Sequence, residues 1–462
     1  MAIESDVLVL GGGLAGTTAA IAAAREGADV RLVSYKKSTL RQSSGLVDAL
    51  GYVPDRAGGD RELGSDGGIE GAPGTVVADL PDLEGPVVNP YDALPELPDE
   101  HPYSTVGPDA LRDGLALFDD VTGDAYLGDH TDRNALFPTF GGTVKPTARY
   151  PASSAAGIAS DERPMLVVGF RSLTAYDARV VADGLVATGV PFPVEGAEVE
   201  FAEAFRDDAK ITRFARALDE DEPLDGVPAR TALARAVEPH LEEFADSVSE
   251  SGRIRVGFPA FLGHREAAAV REEVADRLGV DVFELPMGPP SLPGLRLEDR
   301  LTEALDAEGV RFETGVRAVD RDVSPDGSVE SVSIDRSGSR VPYAADAYVL
   351  ATGGLVGKGL DSDREGVYER VFGVPVPHPE DRYDWFVDDA FGDHEFARFG
   401  LETDGRLRPV DAEGEPAFEN VFAAGAVLGG ADVAREKSAS GVSLSTGLVA
   451  GRAAAAATEE TR

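Results

Sequence analysis

Residues 7–16 of the chain read VLVLGGGLAG, and this stretch decides the fold. Its first four residues form an apolar run typical of a buried strand, and an alanine-rich helix is predicted from Leu14 to Arg25. Between them lies the pattern G-x-G-x-x-G, whose glycines allow a tight turn and a close approach of phosphate to the N-terminus of the helix. The stretch predicts a phosphate-binding turn of the dinucleotide type rather than a glycine turn used only for packing; its residues are Gly11, Gly12, Gly13, Leu14, Ala15 and Gly16.

The second strand of this unit is predicted from Val30 to Val33 and is followed by Ser34. An acidic residue is typical here, because it holds the ribose hydroxyls of a dinucleotide, but a serine hydroxyl can also hydrogen-bond ribose. Lys36 comes next and faces either a phosphate or solvent. A little further on, small hydrogen-bonding groups are predicted to approach the same ligand; they belong to Ser43, Ser44 and Gly45.

Two more glycine turns follow predicted strands much later in the chain. One contains Thr352 and Gly353 after the strand 348–350, and the other follows the strand 421–422 and contains Gly425, Gly429 and Gly430. A helix of small residues is then predicted from Gly441 to Ala457, and Ser440 and Gly441 at its start are candidate cofactor contacts. A helix N-terminus directed at a cofactor ring would stabilise negative charge on it. The three turns together predict one cofactor site built from both ends of the sequence.

The charge of the chain is extreme. Its 462 residues include 83 Asp and Glu but only 43 Lys and Arg, of which six are lysines, and the net charge is −40. Nucleic acid and anionic lipid both require a basic surface, so we expect neither as a partner. Molar salt would screen the self-repulsion of such a surface. We therefore expect adaptation to a high-salt cytoplasm; the alternative is a merely acidic protein.

Cysteine is absent from the sequence, which excludes disulfides, thiol catalysis and cysteine-ligated iron–sulfur clusters from this chain. We predict no metal site. The first residues, MAIESDVLVL, are acidic and enter a strand directly, so no signal peptide is expected. No run of eighteen apolar residues occurs, so no membrane-spanning segment is expected either.

The sequence resembles the FAD-binding fold of fumarate reductase-type flavoproteins. The pieces that carry this resemblance are GGGLAG (11–16), ATGG (351–354) and NVFAAGAVLGG (420–430). Three further pieces resemble the B-subunit family of anaerobic glycerol-3-phosphate dehydrogenase; they are SSGLVDAL (43–50), HPYSTVGP (101–108) and PPSLPGLRL (289–297). The resemblance covers most of the chain and implies an α/β, Rossmann-like FAD/NAD(P)-binding flavoprotein domain, discontinuous in sequence, with an inserted α/β cap domain.

The expected flavin-binding domain comprises residues 1–50, 294–355 and 400–462. The cap or substrate domain is expected at 51–293, with a long acidic loop at about 54–98, and a second excursion is expected at 356–399. Within the cap, strands are predicted at 165–170, 199–201, 253–261 and 281–286, and helices at 176–188 and 265–278. A helix is also predicted at 295–308.

The resemblance implies oxidation of sn-glycerol 3-phosphate to dihydroxyacetone phosphate, with electrons passed to quinone. It also implies two partners: a second flavoprotein, the A subunit, and an iron–sulfur protein, the C subunit, which attaches the complex to the inner face of the cell membrane. The B-subunit family is described as carrying FMN, whereas the dinucleotide fingerprint favours FAD. Fumarate reductase-type enzymes have an acidic residue at the position of Ala426, and their substrate-binding His and Arg residues have no counterpart here.

Oxidation of a secondary alcohol on a flavin requires a base for the hydroxyl proton and cations for the phosphate. The candidate bases are His101 and His264, and the candidate phosphate ligands are Arg296, Arg435 and Lys437. Each of these has an ordinary structural alternative, a buried or surface histidine or a surface ion pair. Two other functions stay open: a non-catalytic subunit for electron relay and assembly, and a stand-alone fumarate reductase-like flavin oxidoreductase.

Overall fold

A computed structural model describes residues 2–36, 38–54, 83–201, 210–248, 254–390 and 392–461. Within these ranges the α-helices are α1 (Leu14–Arg25), α2 (Pro90–Ala93), α3 (Pro102–Thr122), α4 (Ala178–Thr188), α5 (Ile211–Asp219), α6 (Ala229–Ser247), α7 (Ala267–Leu278), α8 (Leu292–Ala307), α9 (Val433–Glu436) and α10 (Ala439–Thr461).

The strands of the same ranges are β1 (Ile3–Leu10), β2 (Val30–Ser34), β3 (Val53–Pro54), β4 (Leu83–Glu84), β5 (Tyr126–Leu127), β6 (Ala135–Pro138), β7 (Val144–Thr147), β8 (Tyr150–Pro151), β9 (Met165–Phe170), β10 (Val194–Val199), β11 (Pro223–Leu224), β12 (Val227–Pro228), β13 (Arg255–Pro259), β14 (Asp281–Leu285), β15 (Arg311–Thr314), β16 (Arg317–Val323), β17 (Val329–Arg336), β18 (Ser339–Leu350), β19 (Leu360–Ser362), β20 (Val367–Glu369) and β21 (Val421–Ala423).

A seven-stranded sheet joins the two ends of the chain. Its order is β15-β2-β1-β18-β17-β16, with β21 paired to β18. The pairs of β1 with β2 and β18, of β2 with β15 and of β18 with β21 are parallel, whereas β16, β17 and β18 form an antiparallel meander. The inner strands are apolar on both faces, as parallel strands covered by helices require. The expected α/β, Rossmann-like fold, discontinuous in sequence, is confirmed.

A second sheet lies in the middle of the chain and has the order β10-β9-β13-β14, with all pairs parallel. It has its own core, in which residues 165–170 are entirely buried and pack with helices α4 to α7. This is the region where an inserted α/β cap was expected. The boundaries proposed for the individual domains stay predictions.

Helix α10 is held unusually close to α1 by small residues. A side chain on Gly447 would come within 2.5 Å of the carbonyl oxygen of Ala15, and one on Gly451 would collide with that of Ala19. On another side of α10, a side chain on Gly114 of α3 would lie 2.8 Å from the carbonyl carbon of Leu444. The alanine and glycine content of the last helix therefore reflects close backbone packing.

Several boundaries differ from the predictions because tertiary pairing extends or moves an element. β18 is twelve residues long, where only 348–350 was predicted, because its polar first half pairs with β17. The strand predicted at 199–201 is instead Val194–Val199. Most of the predicted acidic loop, residues 55–82, lies outside the described residues, as does the start of the strand predicted from Arg253. The described end of that loop, 83–98, contains β4 and α2 and is not irregular throughout.

Candidate cofactor and active site

The turn after β1 has the geometry that a bound phosphate requires. Gly11 has a φ of +120°, and a side chain there would collide with the carbonyl oxygen of Ala351, while one on Gly16 would collide with Gly11. These two glycines therefore serve the tight turn itself. Gly13 differs, since it caps α1 and an added Cβ would meet no protein atom within 4 Å. Its backbone and the first N–H groups of α1 are open to a ligand.

A cavity of about 760 Å³ adjoins this turn. It runs along the carboxyl ends of β1, β2 and β18, the edge at which parallel α/β sheets bind ligands. The predicted cofactor residues that line it are Gly11, Gly12, Gly13, Ser34, Lys36, Thr352 and Gly353. The structure thus brings together residues that are more than 300 positions apart in the sequence.

The wall of the cavity is basic although the chain as a whole is strongly acidic. Lys36 and Lys358 line it, together with Arg317 and Arg370, and Arg370 forms an ion pair with Asp361. Four cations around one carboxylate make the cavity locally positive. Such a charge distribution attracts an anionic ligand such as a pyrophosphate.

Two features of the cavity fit a nucleotide cofactor. The hydroxyl of Thr352 is buried and makes no hydrogen bond to the described residues, so it is available to a ligand. The hydroxyl of Ser34 donates to the backbone oxygen of Lys36 at 2.8 Å, which leaves its lone pairs to accept from a ribose hydroxyl. The cavity also continues past Ser34 to residues 316–318, so it is longer than the phosphate turn alone.

The segment that carries Ser43, Ser44 and Gly45 is fixed by the PPSLPGLRL stretch. Ser291 caps α8, and its backbone N–H donates to the carbonyl oxygen of Arg41 at 3.1 Å. A side chain on Gly294 would collide with the carbonyl oxygen of Leu40, and one on Gly45 would lie 2.6 Å from Pro293. This specific sequence piece therefore holds the segment 40–45 against the start of α8.

The continuation of that segment is tied to the N-terminus of α10. Asp48 is buried; its carboxylate accepts from the N–H of Ser440 at 3.3 Å and its backbone oxygen from the N–H of Gly441 at 2.8 Å. The hydroxyl of Tyr103 donates to the carbonyl oxygen of Ala49 at 2.5 Å and occupies the space that a side chain on Gly441 would need. Ser440 and Gly441, at the start of α10, thus contact residues 48 and 49, which follow the predicted cofactor contacts at 43–45.

His101 lies completely buried beside this junction. Its Nδ1 accepts from the backbone N–H of Tyr103 at 3.0 Å, so its Nε2 carries the proton and faces Glu436 at 3.1 Å. Glu436 also accepts from the hydroxyl of Ser438 at 2.8 Å and from the N–H of Asp432 at 3.0 Å. Because both ring nitrogens are engaged, the geometry argues against His101 as a base and favours a positioning role.

His264 and Arg296 lie together beside the N-terminal half of α8, against the second sheet. The guanidinium of Arg296 contacts the buried carboxylate of Glu284 at 2.5 Å and the carbonyl oxygen of Gly263 at 3.1 Å. His264 faces Asp299 at 2.9 Å. Neither residue lines the cavity, so the structure favours a role for both in joining α8 to the second sheet.

The remaining predicted residues lie around the short helix α9. Arg435 forms an ion pair with Asp393 at 2.9 Å, while Lys437 has a left-handed backbone with a φ of +53°. Side chains on Gly429 and Gly430 would meet neighbouring backbone, and one on Gly425 would lie 2.6 Å from the Cβ of Ala15. These three glycines allow close packing of the backbone. Like Leu14, Ala15 and Gly16, they lie near the cavity but are not part of its lining. The roles of all these residues in cofactor binding and catalysis stay predictions.

Comparison with known families decides the classification. Residues 6–442 match the FAD binding domain family FAD_binding_2. The chain belongs to this FAD-binding family.

Within it, the chain is 55% identical over 461 residues to a probable B subunit of anaerobic glycerol-3-phosphate dehydrogenase from Halobacterium salinarum, a match that covers 99% of both chains. It is 30% identical to the B subunit of anaerobic glycerol-3-phosphate dehydrogenase from Pectobacterium atrosepticum, over 96% of both chains. The chain is thus a member of this B-subunit family, as the sequence resemblance implied. A solved flavocytochrome c3 fumarate reductase superposes with a TM-score of 0.36 at 12% identity, over 99% of this chain and 79% of that one.

Sequence reasoning missed the basic residues 317, 358 and 370 of the cavity, which come from separate elements. The scarcity of lysine was a usable signal, because Lys358 is one of only six. Asp48 was also missed, although it lies within the quoted piece SSGLVDAL. Across the described ranges, no helix combines the length and apolar character needed to cross a bilayer.

Proposed function

We propose that this chain binds FAD and acts as the B subunit of a glycerol-3-phosphate:quinone oxidoreductase, which converts sn-glycerol 3-phosphate to dihydroxyacetone phosphate in glycerol catabolism. The observation that carries the proposal is the basic cavity at the G-x-G-x-x-G turn, where Gly13 opens to the ligand and the Thr352 hydroxyl is unsatisfied by described residues. The names of the two relatives supply the substrate.

FAD is favoured over FMN by the extent of the cavity. Beyond the phosphate turn it continues along the end of β2 to Ser34, Lys36 and Arg317, where the adenosine half of a dinucleotide lies in this type of fold. FAD supplies the acceptor for the hydride that leaves the substrate carbon. The chain's own contribution is to hold the pyrophosphate at Gly13 and the N-terminus of α1, with Lys36 and Lys358 balancing its charge.

Two partners belong to the proposal, a second flavoprotein and an iron–sulfur protein that attaches the complex to the inner face of the cell membrane. The sequence contains no cysteine, so cysteine-ligated clusters for onward electron transfer would have to lie in another chain. Both relatives are named as B subunits, which implies further subunits. The net charge of −40 offers no overall attraction to anionic lipid.

The cofactor is tested by purifying the chain in concentrated salt, releasing bound flavin by heat and measuring its mass. We expect FAD in about equimolar amount. Recovery of FMN alone would contradict the dinucleotide assignment. A colourless protein that takes up neither flavin would overturn the proposed function as a whole.

The reaction is tested by adding sn-glycerol 3-phosphate anaerobically to the flavin-loaded chain, alone and with its partner proteins, and following the flavin absorbance. Bleaching of the isolated chain would show that this chain itself oxidises substrate. Bleaching only in the presence of partners would support the relay and assembly role. Bleaching by another substrate class but not by glycerol 3-phosphate, with partners present, would contradict the proposal.

A further inference from the structure

Two of the chain's six lysines converge beside the junction of Asp48 with α10. The ammonium group of Lys145, on β7, lies 3.0 Å from the Asp48 carboxylate. Lys437 reaches the same place from the turn between α9 and α10. A Cβ on Gly51 would lie 3.0 Å from the Cβ of Lys437 and 3.1 Å from Pro146, so both lysine-bearing segments pack on Gly51.

The position of Lys437 is enforced by buried contacts. Its left-handed backbone, with a φ of +53°, is costly for a residue with a side chain and persists only where the surroundings impose it. The preceding residue, Glu436, is held through its carboxylate by His101 and Ser438, and its carbonyl oxygen accepts from the N–H groups of Gly51 and Tyr52 at 2.8 and 3.0 Å. The network around His101 therefore fixes where the Lys437 side chain begins.

The cluster brings two ammonium groups together, and each has hydrogen-bond donors to spare among the contacts of the described residues. Each ammonium group has three donors. Among the contacts of the described residues, Lys145 uses one for Asp48, and Lys437 uses one for the carbonyl oxygen of Ala434 at 2.5 Å. The carboxylate of Asp48 also accepts from the N–H of Ser440, so Lys145 shares this anion with a backbone donor. Asp432 is the other acid whose charge reaches Lys437.

The electrostatic surroundings of Lys437 favour an additional anion. Burial lowers the pKa of Lys437, and the like charge of Lys145 lowers it further, while Asp48 and Asp432 oppose the shift. Burial alone would raise the pKa of Asp48, but the charge of Lys145 and the hydrogen bond from Ser440 outweigh it, so the pKa is lowered and Asp48 is ionised at neutral pH. An anion close to both ammonium groups would offset their mutual repulsion and the cost of their partial burial.

We propose that Lys145 and Lys437 form the subsite that binds the phosphate of an alkyl phosphate monoester, with Glu436 as the positioning residue and Asp48 as the counter-anion that a phosphate competes with. This inference rests on the proposed function for the identity of the substrate, and it assigns the phosphate contact to this chain. Of the phosphate ligands predicted from the sequence, the proposal keeps Lys437. Arg435 forms an ion pair with Asp393, and Lys145 takes its place as the second cation of the subsite. The segment 43–48 connects this subsite directly to the predicted cofactor contacts at Ser43, Ser44 and Gly45.

The test compares ligand binding by flavin-loaded full-length variants in one fixed potassium chloride buffer, measured by isothermal titration calorimetry. The variants are Lys145→Gln and Lys437→Gln, and the matched control is Lys210→Gln, an exposed lysine that precedes α5. The probes are sn-glycerol 3-phosphate, inorganic phosphate and glycerol. Flavin content and far-UV circular dichroism establish that each variant is folded.

Each of the two subsite variants is expected to raise the Kd for glycerol 3-phosphate and for phosphate at least about tenfold, since each loses a charge-assisted hydrogen bond. The control is expected to bind both as the wild type does, and weak binding of glycerol is expected to be unchanged throughout. Asp48→Asn removes the competing anion at nearly constant shape and is expected to tighten phosphate binding.

The outcomes separate this inference from the proposed function. Wild-type affinity for glycerol 3-phosphate in both lysine variants would overturn the subsite and leave the function standing. Lysine-dependent binding of phosphate without binding of glycerol 3-phosphate, even with partner proteins, would support an anion subsite and contradict the substrate. Weaker phosphate binding in Asp48→Asn would overturn the charge argument, and absence of binding by every probe would overturn the subsite.

Discussion

The substitution Gly13→Asp is expected to weaken FAD binding strongly while leaving the apoprotein at least as stable as the wild type. Gly13 is the N-cap of α1 with an extended backbone, and a side chain there meets no protein atom within 4 Å. Aspartate is a preferred N-cap residue, so it should stabilise the helix by a few tenths of a kcal/mol relative to glycine. The same carboxylate would project into the space where we place the pyrophosphate.

The size of the effect follows from Coulomb's law. Two like charges about 4 Å apart repel by about 4 kcal/mol at an effective dielectric constant of about 20. That repulsion corresponds to a loss of about a thousandfold in FAD affinity. Gly13→Asn has the same shape and is also a good N-cap but has no charge, so it should lose only about tenfold through displaced contacts.

The assay is a titration of apoprotein with FAD, followed by quenching of flavin fluorescence, together with thermal unfolding of each apoprotein. Gly405→Asn provides a control for an added side chain, because Gly405 is an exposed turn glycine with no neighbour within 4 Å. Equal losses for the aspartate and asparagine variants would refute the electrostatic reasoning. Wild-type affinity in both would refute the location of the phosphate.

Three further predictions concern stability. With a net charge of −40, the protein should be more resistant to urea in about 3 M than in about 0.1 M potassium chloride, and equal midpoints would contradict adaptation to salt. Gly447→Leu should lower stability by about 1–3 kcal/mol or more, measured by urea unfolding, because its side chain would press on the backbone of α1 at Ala15; Gly405→Ala should not. Glu284→Gln should destabilise by about 3–5 kcal/mol at pH 7, because it leaves the Arg296 cation without its buried partner. Burial alone would raise the pKa of Glu284, but Arg296 outweighs it and lowers the pKa. The ionised carboxylate therefore stabilises the fold above the unfolded pKa of about 4.3, and this stabilisation is lost as the pH falls through the lowered folded-state pKa. A difference in stability between variant and wild type that persists unchanged in acid would contradict the assignment.

Local sequence was sufficient for the elements that periodicity and end signals define. Helix α1 begins at Leu14 and ends at Arg25 as predicted, since an apolar strand, glycines and an alanine run specify it within one stretch. The tight glycine turn between β1 and α1 was predictable for the same reason. The polar half of β18 was not, because only its pairing with β17 makes it a strand.

The candidate catalytic residues show the limit most clearly. Residue type alone made His101 a candidate base, but its role depends on which groups face its two nitrogens, and those groups come from residues 103 and 436. Likewise, nothing in the local sequence around Lys145 distinguishes it from Lys210, whereas the fold pairs Lys145 with Asp48.

The sequence by itself determined the acidic surface, the absence of cysteine, the dinucleotide-type turn and the family. Only the tertiary structure decided which basic residues line the cavity, which glycines serve packing, and that Lys145 and Lys437 meet. The physical reason is that backbone turns and helices are specified by neighbouring residues, whereas the charge and hydrogen bonding of a site depend on contacts between segments far apart in the chain.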